Sequence, residues 1–272
     1  MCLSFRLEWH LRTYFIRRPS NVLKVKSLTN PVANILGVSF TTRGFDETVA
    51  HLTQRIDSGE QTHVVTANPE IVMLAKGHSA FRSIVDQAYV VPDGIGIVYA
   101  AKWTNQPIHE RVTGVELVEA LMDVANNRQW NVYLLGATPE VIRLAAEKLS
   151  NRYPQAHIVG YRDGYFRQDE EEQIVQEIAS KKPELLFVAM GSPRQDEWLS
   201  RYREQLNASL MMGVGGSFDV ISGKVRRAPL FWQKLNLEWL YRLLATPSRW
   251  KRQLAIPRFV WTVFREKWKN RS

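Results

Sequence analysis

Short apolar runs and longer amphipathic stretches alternate along the chain from residue 34 onward. The apolar runs are rich in β-branched residues and predict strands at NILGVSF, THVVTA, AYVV, NVYLLG, AHIVGY, ELLFVAM and SLMMGVG. The amphipathic stretches predict helices at GFDETVAHLTQRIDSG, PEIVMLAKG, GIGIVYAAKW, GVELVEALMDVANNRQ, TPEVIRLAAEKLSNRY, QDEEEQIVQEIASKK and SPRQDEWLSRYREQL. Strands and helices that alternate in this order predict an α/β fold with a mainly parallel sheet.

A soft domain boundary falls at NQPIHERVTG, after which strand, glycine turn and helix follow one another regularly. We therefore divide an α/β core, residues 34–223, into an N-terminal lobe up to about residue 112 and a nucleotide-binding lobe over residues 113–223. A basic N-terminal extension, residues 1–33, precedes this core, and a basic segment, residues 224–272, follows it. We call residues 224–272 the tail.

The composition is that of a cytoplasmic globular protein. Hydrophobic residues make up 45% of the 272 positions, which is ample for a packed core. The single cysteine, Cys2, excludes an internal disulfide framework and a multi-cysteine metal site. No apolar run approaches the length of a membrane-spanning helix, and the first residues do not read as an export signal. We therefore expect a chain that neither spans a membrane nor is exported.

Charge is segregated along the chain. Residues 1–33 and the tail carry nineteen Lys/Arg and three acids between them, whereas residues 34–223 carry seventeen Lys/Arg and twenty-four acids. Five of the nine tryptophans lie in the tail: Trp232, Trp239, Trp250, Trp261 and Trp268. Basic residues interleaved with aromatic ones favour contact with an anionic membrane surface. Two alternatives stay open, core packing with solvated charges and nucleic-acid binding, although an acidic body argues against nucleic acid.

Three predicted strands each end in glycine where a helix follows. The turns are YLLGATPE with Gly136, FVAMGSPRQ with Gly191, and MMGVGGSFD with Gly213, Gly215 and Gly216. In a parallel sheet such turns share the carboxyl edge, where backbone N–H groups at helix N-termini bind phosphates. Glycine is also needed simply to turn the chain, but three such turns favour a nucleotide-type ligand.

Several patterns that would define the nucleotide chemistry are missing from the sequence. GVGGSF lacks the last glycine of the dinucleotide fingerprint, and no loop ends in Gly-Lys-Ser/Thr. No Asp-x-Asp is present to hold a metal on a diphosphate, and the six histidines lack ligand spacing. His63 and His157 lie in predicted strands and are interpreted as core or edge residues. We therefore expect no metal site and no bound cofactor.

The stretch VVPDGIGIVYAAK, residues 90–102, allows two interpretations of Asp93, as a turn residue or as a residue that acts on a substrate. Pro-Asp-Gly is the composition of a tight turn, because proline presets one φ angle and glycine supplies a positive one. The same turn can also fix a carboxylate rigidly beside a substrate. The pattern alone favours the turn.

A larger set of motifs resembles the bacterial WecG/TagA/CpsF glycosyltransferase family. The motifs are TANPEIVMLA, VPDGIGIVYAAK, RVTGVELV, LLGATPEV, FVAMGSPRQDEW, GVGGSFDVISGKVRRAP and LEWLYRLLATPSRW, and they span about residues 34–262. The resemblance implies a Rossmann-like α/β core with helices on both faces, followed by a C-terminal helical appendage that meets the membrane.

The activity implied by the resemblance is inverting, metal-independent transfer of a sugar from a UDP-sugar to an undecaprenyl-diphosphate-linked saccharide. The enzyme would act in cell-surface polysaccharide synthesis, as a peripheral protein on the inner face of the cell membrane. Its partners would be the UDP-sugar donor, the polyprenyl-diphosphate-linked acceptor and the anionic membrane surface, with no nucleic acid. The donor sugar, N-acetylmannosamine-type or another hexose, and a homo-oligomeric state stay open.

The resemblance also implies roles for single residues. Asp93 would be the general base, with Arg111 and Gln195 beside it in the active site. Thr66 and Asn68 would bind sugar, although Asn68 before Pro69 also fits a helix cap. The UDP-binding residues implied are Gly136, Tyr165, Gly191, Gly215, Gly216 and Asp219. The residues implied to reach the lipid diphosphate are Arg242, Arg249 and Arg252, for which simple attraction to anionic lipid is the alternative.

Two other function classes compete with this interpretation. A non-catalytic, membrane-associated nucleotide-sugar binding protein would keep the glycine turns and the tail without needing Asp93. A nicotinamide dehydrogenase is disfavoured by the incomplete glycine fingerprint.

Overall fold

A computed structural model describes residues 32–226, 228, 229, 231, 232, 238, 240, 241 and 254–269. All of these residues belong to one compact unit of the chain. The predicted N-terminal extension lies outside the described residues except at its last two positions.

Six strands form a single parallel sheet in the order β4-β3-β8-β7-β5-β6, and β1 and β2 form a separate antiparallel pair. The strands are β1 (Val32–Ile35), β2 (Val38–Thr41), β3 (Thr62–Ala67), β4 (Tyr89–Pro92), β5 (Asn131–Gly136), β6 (His157–Arg162), β7 (Leu185–Ala189) and β8 (Leu210–Gly213). The predicted parallel α/β sheet is confirmed. Three of its four inner strands, β5, β7 and β8, are almost continuous apolar runs because both of their faces are covered.

Helices cover both faces of the sheet. Those described are α1 (Phe45–Asp57), α2 (Pro69–Gly77), α3 (Ser79–Asp86), α4 (Ile95–Trp103), α5 (Gly114–Arg128), α6 (Pro139–Arg152), α7 (Glu171–Lys181), α8 (Arg194–Tyr202), α9 (Ser217–Ile221) and α10 (Ala255–Lys269). Neighbouring residues of β3 point to opposite faces of the sheet and so show its two helical layers. Val64 packs in the core beneath α1, α5, α6 and α9. Val65 packs in the core beneath α2, α3, α4 and α10. Helices α7 and α8 enclose a third cluster.

The run NILGVSF was predicted as one strand, and this prediction is wrong. It folds as the end of β1, a two-residue turn and the start of β2, with Ile35 paired to Val38. Leu36 and Gly37 both have positive φ angles, 52° and 91°, as the tight turn of a hairpin requires. The Asn34 side chain fixes the turn by accepting a hydrogen bond from the Gly37 N–H at 2.8 Å.

Helix α10 of the tail packs against α2 and α4, which confirms the predicted C-terminal helix. Phe259 and Val263 are buried in the core beneath α2 and α4. The Phe264 ring lies 5.0 Å from the ring of Trp103 on α4. Burial of the two apolar side chains holds this helix on the core, at about 1.5–3 kcal/mol for each side chain.

Strands from both predicted lobes share the same sheet. β3 precedes residue 112 and β8 follows it, yet the two strands are neighbours with Val64 opposite Met212. The lobe boundary therefore separates the strands along the sequence while the sheet runs continuously through both lobes. Turns from either lobe can contribute to one site at the carboxyl edge.

Candidate active site

The predicted site residues of the core lie on or just beyond the carboxyl ends of the parallel strands and on the segments that follow. In the order of strands across the sheet, β4 leads to Asp93, β3 to Asn68, β8 to Gly215, β7 to Gly191 and β5 to Gly136. Since parallel strands end on the same side, these residues are brought to one edge of the sheet. The edge is where ligands bind in open α/β sheets.

The turn that carries Asp93 is tied to the core on both sides. The Asp93 N–H donates to the carbonyl of Ala67 at 2.9 Å, and the Val112 N–H donates to the carbonyl of Pro92 at 2.8 Å. Gly94 has a φ angle of 98° and directly precedes α4. The backbone therefore changes direction at Gly94 between β4 and α4, and glycine supplies a positive φ angle there. Asp93 is half-buried and lies two residues before the start of α4, whose positive N-terminus favours a negative charge nearby.

Thr66 and Asn68 lie beside this turn on the neighbouring strand. The Thr66 hydroxyl donates to the carbonyl of Gly213 at 3.3 Å and so links β3 to β8. The Asn68 side-chain oxygen accepts from the Ile71 N–H at 3.0 Å, which is the helix cap that the sequence suggested. Their roles in sugar binding stay predictions, and the cap uses only the Oδ1 atom of Asn68.

Arg111 lies on a loop that is anchored on both sides of it. The Glu110 carboxylate accepts from the Phe45 N–H at the start of α1, and Val112 donates to Pro92. This places the Arg111 backbone beside the Asp93 turn. The Arg111 guanidinium lies 3.6 Å from the Glu238 carboxylate of the tail, and both side chains are largely buried.

Gln195 joins two of the glycine turns. Its Oε1 atom accepts a hydrogen bond from the Gly191 N–H and another from the Gly215 N–H, each at 3.2 Å. The residue is 5% exposed. The side chain therefore fixes the turn after β7 relative to the turn after β8, which the sequence did not indicate.

The turn after β5 depends on glycine for a steric reason. Gly136 has a φ angle of 116°, and a Cβ atom at this position would collide with the backbone of Ala189. The close approach lets the Ala137 N–H donate to the Ala189 carbonyl at 2.8 Å. Nearby, the Gly164 N–H donates to the Ala137 carbonyl at 2.9 Å, which holds the loop after β6 against this turn.

The remaining predicted UDP-binding residues differ in their surroundings. Tyr165, in the loop after β6, is 76% exposed. A Cβ atom on Gly215 would meet open space, so the backbone is accessible there. Gly216 directly precedes α9, and Asp219 lies half-buried in the first turn of that helix. UDP binding by these residues stays a prediction.

A buried polar group beneath the glycine turns was missed by the sequence analysis. Asp196 is 1% exposed and accepts from the Ser192 hydroxyl at 2.9 Å. Its second carboxylate oxygen lies 3.7 Å from Nε2 of His63 on β3, and neither atom has a hydrogen-bond partner among the described residues. His63 is a core residue, as predicted, and the exposed His157 opens the edge strand β6. In the sequence, the only indication of this buried carboxylate is that Ser192 and Asp196 are four residues apart across the start of a helix.

The described residues contain neither a metal-binding cluster nor a membrane-spanning helix. No group of three His, Cys, Asp or Glu side chains in that part of the chain is placed to hold a metal ion. No helix there is long and apolar enough to cross a membrane. Arg242, Arg249 and Arg252, predicted to reach the lipid diphosphate, lie outside the described residues.

Comparison with known proteins decides the family. The family model described as Glycosyl transferase WecG/TagA/CpsF family matches residues 33–272. The chain belongs to this family. It is therefore a glycosyltransferase, as predicted, and the binding-protein and dehydrogenase alternatives are set aside.

Three relatives that this chain is similar to carry the name N-acetylglucosaminyldiphosphoundecaprenol N-acetyl-beta-D-mannosaminyltransferase. The protein from Staphylococcus aureus strain NCTC 8325 is 39% identical over 240 residues, covering 86% of this chain and 92% of the relative. The protein from Bacillus subtilis strain 168 is 39% identical over 210 residues, covering 77% and 81%. The protein from Bacillus spizizenii strain W23 is 37% identical over 219 residues, covering 80% and 84%.

Proposed function

We propose that this glycosyltransferase moves a sugar from a UDP-sugar to a polyprenyl-diphosphate-linked saccharide, with inversion and without a metal. The observation that carries the proposal is the row of turns at the carboxyl edge, in which Asp93 is fixed beside Asn68 and the glycine turns follow across the sheet. A carboxylate on a rigid turn can act as a base, and glycine turns at helix N-termini can bind a diphosphate.

The donor half of the site would be formed by the turns after β5, β7 and β8. Their backbone N–H groups are the phosphate ligands expected where no metal neutralises the charge. Gln195 supports this role, because its Oε1 atom holds the Gly191 and Gly215 turns at a fixed separation. Tyr165 and Asp219 would contact the nucleoside part of the donor, where an aromatic face can stack on a base and a carboxylate can accept from ribose.

The chemical step would be a single displacement at the anomeric carbon. Asp93 takes the proton from the acceptor hydroxyl, and the acceptor oxygen forms a bond to the anomeric carbon. The bond between that carbon and the UDP oxygen breaks, and UDP leaves with the electron pair. The backbone N–H groups of the glycine turns would stabilise the negative charge of the leaving diphosphate. Arg111, on the loop beside the Asp93 turn, would contact the diphosphate of the acceptor. Attack opposite the leaving group inverts the configuration of the anomeric carbon.

The acceptor and the donor sugar are proposed from the names of the relatives. These names specify N-acetylglucosaminyldiphosphoundecaprenol as acceptor and an N-acetyl-beta-D-mannosaminyl product. We therefore propose the same acceptor class for this chain, with UDP-N-acetylmannosamine as donor. A β linkage formed from an α-linked nucleotide sugar requires inversion, in agreement with a single displacement.

The outward face of α10 supports placing the enzyme on an anionic membrane surface. Trp261, Phe264 and Trp268 recur at helical spacing and are 71%, 46% and 77% exposed. Three exposed basic residues of the same helix flank these aromatic residues: Arg258, Arg265 and Lys269. Exposed aromatic residues flanked by basic ones are typical of a helix that lies at the headgroup level. The acceptor is a lipid, so a site held at the bilayer would meet it there.

Helix α4 adds core residues to this face. Trp103 contacts Phe264, and Tyr99 stacks on Trp103 with ring centroids 6.2 Å apart. Because α4 begins directly after the Asp93 turn, this helix would connect Asp93, the proposed base, to the aromatic residues that would face the membrane. The nine residues of α4 span about 13 Å. The Asp93 turn precedes the start of this helix and Trp103 is its last residue, so about one helix length separates them.

A transfer assay tests the proposal. The full chain is incubated with a panel of UDP-sugars and a short-chain prenyl-diphosphate N-acetylglucosamine, with and without EDTA. We expect UDP release and a disaccharide product with UDP-N-acetylmannosamine, unchanged in EDTA, and an inverted anomeric centre by NMR. Activity that depends on added Mg²⁺ or Mn²⁺, or a retained configuration, would contradict the metal-free displacement. Absence of transfer to any prenyl-diphosphate acceptor would contradict the acceptor class.

A further inference from the structure

The tail contains only two acidic residues, Glu238 and Glu266, among thirteen basic ones. Both form ion pairs with basic residues of the core. Glu266 on α10 pairs with Lys76 on α2 at 2.7 Å, and Glu238 lies 3.6 Å from Arg111. The negative charges of a strongly basic segment are thus both placed against the core, one of them beside a predicted active-site residue.

The two pairs differ in their exposure to solvent. Lys76 and Glu266 are 41% and 43% exposed, whereas Arg111 and Glu238 are 22% and 14% exposed. Exposed pairs contribute little because water screens them, but loss of one partner of a buried pair leaves an uncompensated charge. Removal of Glu238 should therefore disturb Arg111 more than removal of Glu266 disturbs Lys76.

The anchored loop leaves the direction of the Arg111 side chain to be set by its surroundings. The Glu110 carboxylate and the Val112 N–H anchor the loop on both sides of Arg111, whereas an arginine side chain retains several rotatable bonds. A guanidinium carries five N–H donors, more than one carboxylate can use. A partner on one side can thus orient the group and leave donors for a substrate.

We propose that Glu238 is a positioning residue that holds the tail against Arg111 and orients its guanidinium toward the acceptor diphosphate. The proposal rests on the proposed role of Arg111 in transfer. An opposite expectation follows if Glu238 merely competes with the substrate for Arg111. Its removal would then strengthen acceptor binding, because a negative charge would leave the site of an anion.

The test compares Glu238→Gln with the matched control Glu266→Gln in the full chain. With UDP-N-acetylmannosamine and a short-chain prenyl-diphosphate acceptor, we expect Glu238→Gln to raise the acceptor KM and lower kcat, by about five- to tenfold in kcat/KM, an effect between those of exposed and buried pairs. The donor KM should stay within about twofold, and Glu266→Gln should leave all constants within about twofold. An unchanged or lower acceptor KM in Glu238→Gln would overturn the proposal.

A double-mutant cycle tests whether Glu238 acts through Arg111. In the Arg111→Ala background, Glu238→Gln should have no further effect, since the group that it orients is gone. Equal losses in both backgrounds would overturn the coupling. Binding of the prenyl-diphosphate acceptor followed by calorimetry should weaken in Glu238→Gln and not in Glu266→Gln. If acceptor binding weakens in Glu238→Gln and not in Glu266→Gln while the wild-type chain transfers no sugar, the proposed function is contradicted and the link between Glu238 and Arg111 still stands.

Discussion

Gly213 lies directly against the side chain of Gln195. A Cβ atom at Gly213 would overlap the Gln195 amide and come within 2.7 Å of the Asp196 carboxylate. Gln195 is itself held by the Gly191 and Gly215 N–H groups, so it cannot move aside without releasing both turns. The end of β8 therefore requires glycine because it packs on the residue that links the Gly191 and Gly215 turns.

Gly213→Ala should weaken donor binding. The added methyl group must displace Gln195 or Asp196, and overpacking of this kind typically costs about 1–3 kcal/mol in stability. We expect a lower affinity for UDP by calorimetry together with a lower midpoint of urea unfolding. Gly77→Ala, where a Cβ atom meets nothing within 4 Å, is the control. It should leave the UDP affinity unchanged and should not lower the midpoint of unfolding, because alanine is the better helix former. Unaltered UDP affinity in Gly213→Ala would separate Gln195 from the donor site.

Asp196→Ala should destabilise the fold more than Ser192→Ala. Removal of Asp196 leaves the Ser192 hydroxyl without its acceptor and takes away the buried carboxylate that lies 3.7 Å from Nε2 of His63, which we expect to cost about 3 kcal/mol. Ser192→Ala removes one hydrogen bond worth about 1 kcal/mol. Urea unfolding followed by tryptophan fluorescence measures both. Equal stability of the two variants would mean that the Asp196–His63 contact contributes nothing.

Acid should destabilise the protein through His51. Burial, with Arg43 and Arg55 nearby, lowers the pKa of His51 below its ordinary value of 6.5. The unfolded chain therefore binds a proton at higher pH than the folded one, and the free energy of unfolding falls as the pH drops below about 6.5. His51→Gln should show a shallower decline between pH 7 and pH 5. The same slope in variant and wild type would exclude His51 as its source.

The aromatic face of α10 can be tested on vesicles. Trp261→Ala combined with Trp268→Ala should reduce co-sedimentation with anionic vesicles, because exposed tryptophans insert at the headgroup level while basic residues supply the electrostatic attraction. Tyr161→Ala, which removes a 48% exposed aromatic side chain from the edge strand β6, is the control. Sedimentation of the double variant at the wild-type level would contradict membrane contact through this face.

The strands, and the sheet edge at which the site lies, were predictable because the spacing of hydrophobic residues and the positions of glycines can be read from short stretches of sequence. THVVTA and NVYLLG match β3 and β5 residue for residue. The Leu36–Gly37 turn was missed because Leu36 is an unusual residue at positive φ. Helix α3 was missed because it is short and follows α2 after a single residue, His78.

Contacts between distant segments could not be predicted from one sequence. Gln195 and Gly215 are twenty residues apart, and Arg111 meets Glu238 from the far end of the chain. Such pairs leave no periodic pattern in the sequence, because it is the order of strands in the sheet that brings their residues together. The sequence therefore indicated which turns meet at the edge, whereas the side chains that hold those turns together required the structure.

Turnover of Asp93→Asn, measured as UDP release in the presence of UDP-N-acetylmannosamine and a prenyl-diphosphate N-acetylglucosamine acceptor, tests the central claim most directly. Asparagine fits the same turn but cannot accept the proton of the acceptor hydroxyl, so kcat should fall by about 10²- to 10⁴-fold. UDP binding by calorimetry should stay within about twofold of wild type, because the donor turns belong to other strands. Near wild-type turnover with intact UDP binding would contradict the assignment of Asp93 as the base and with it the proposed mechanism.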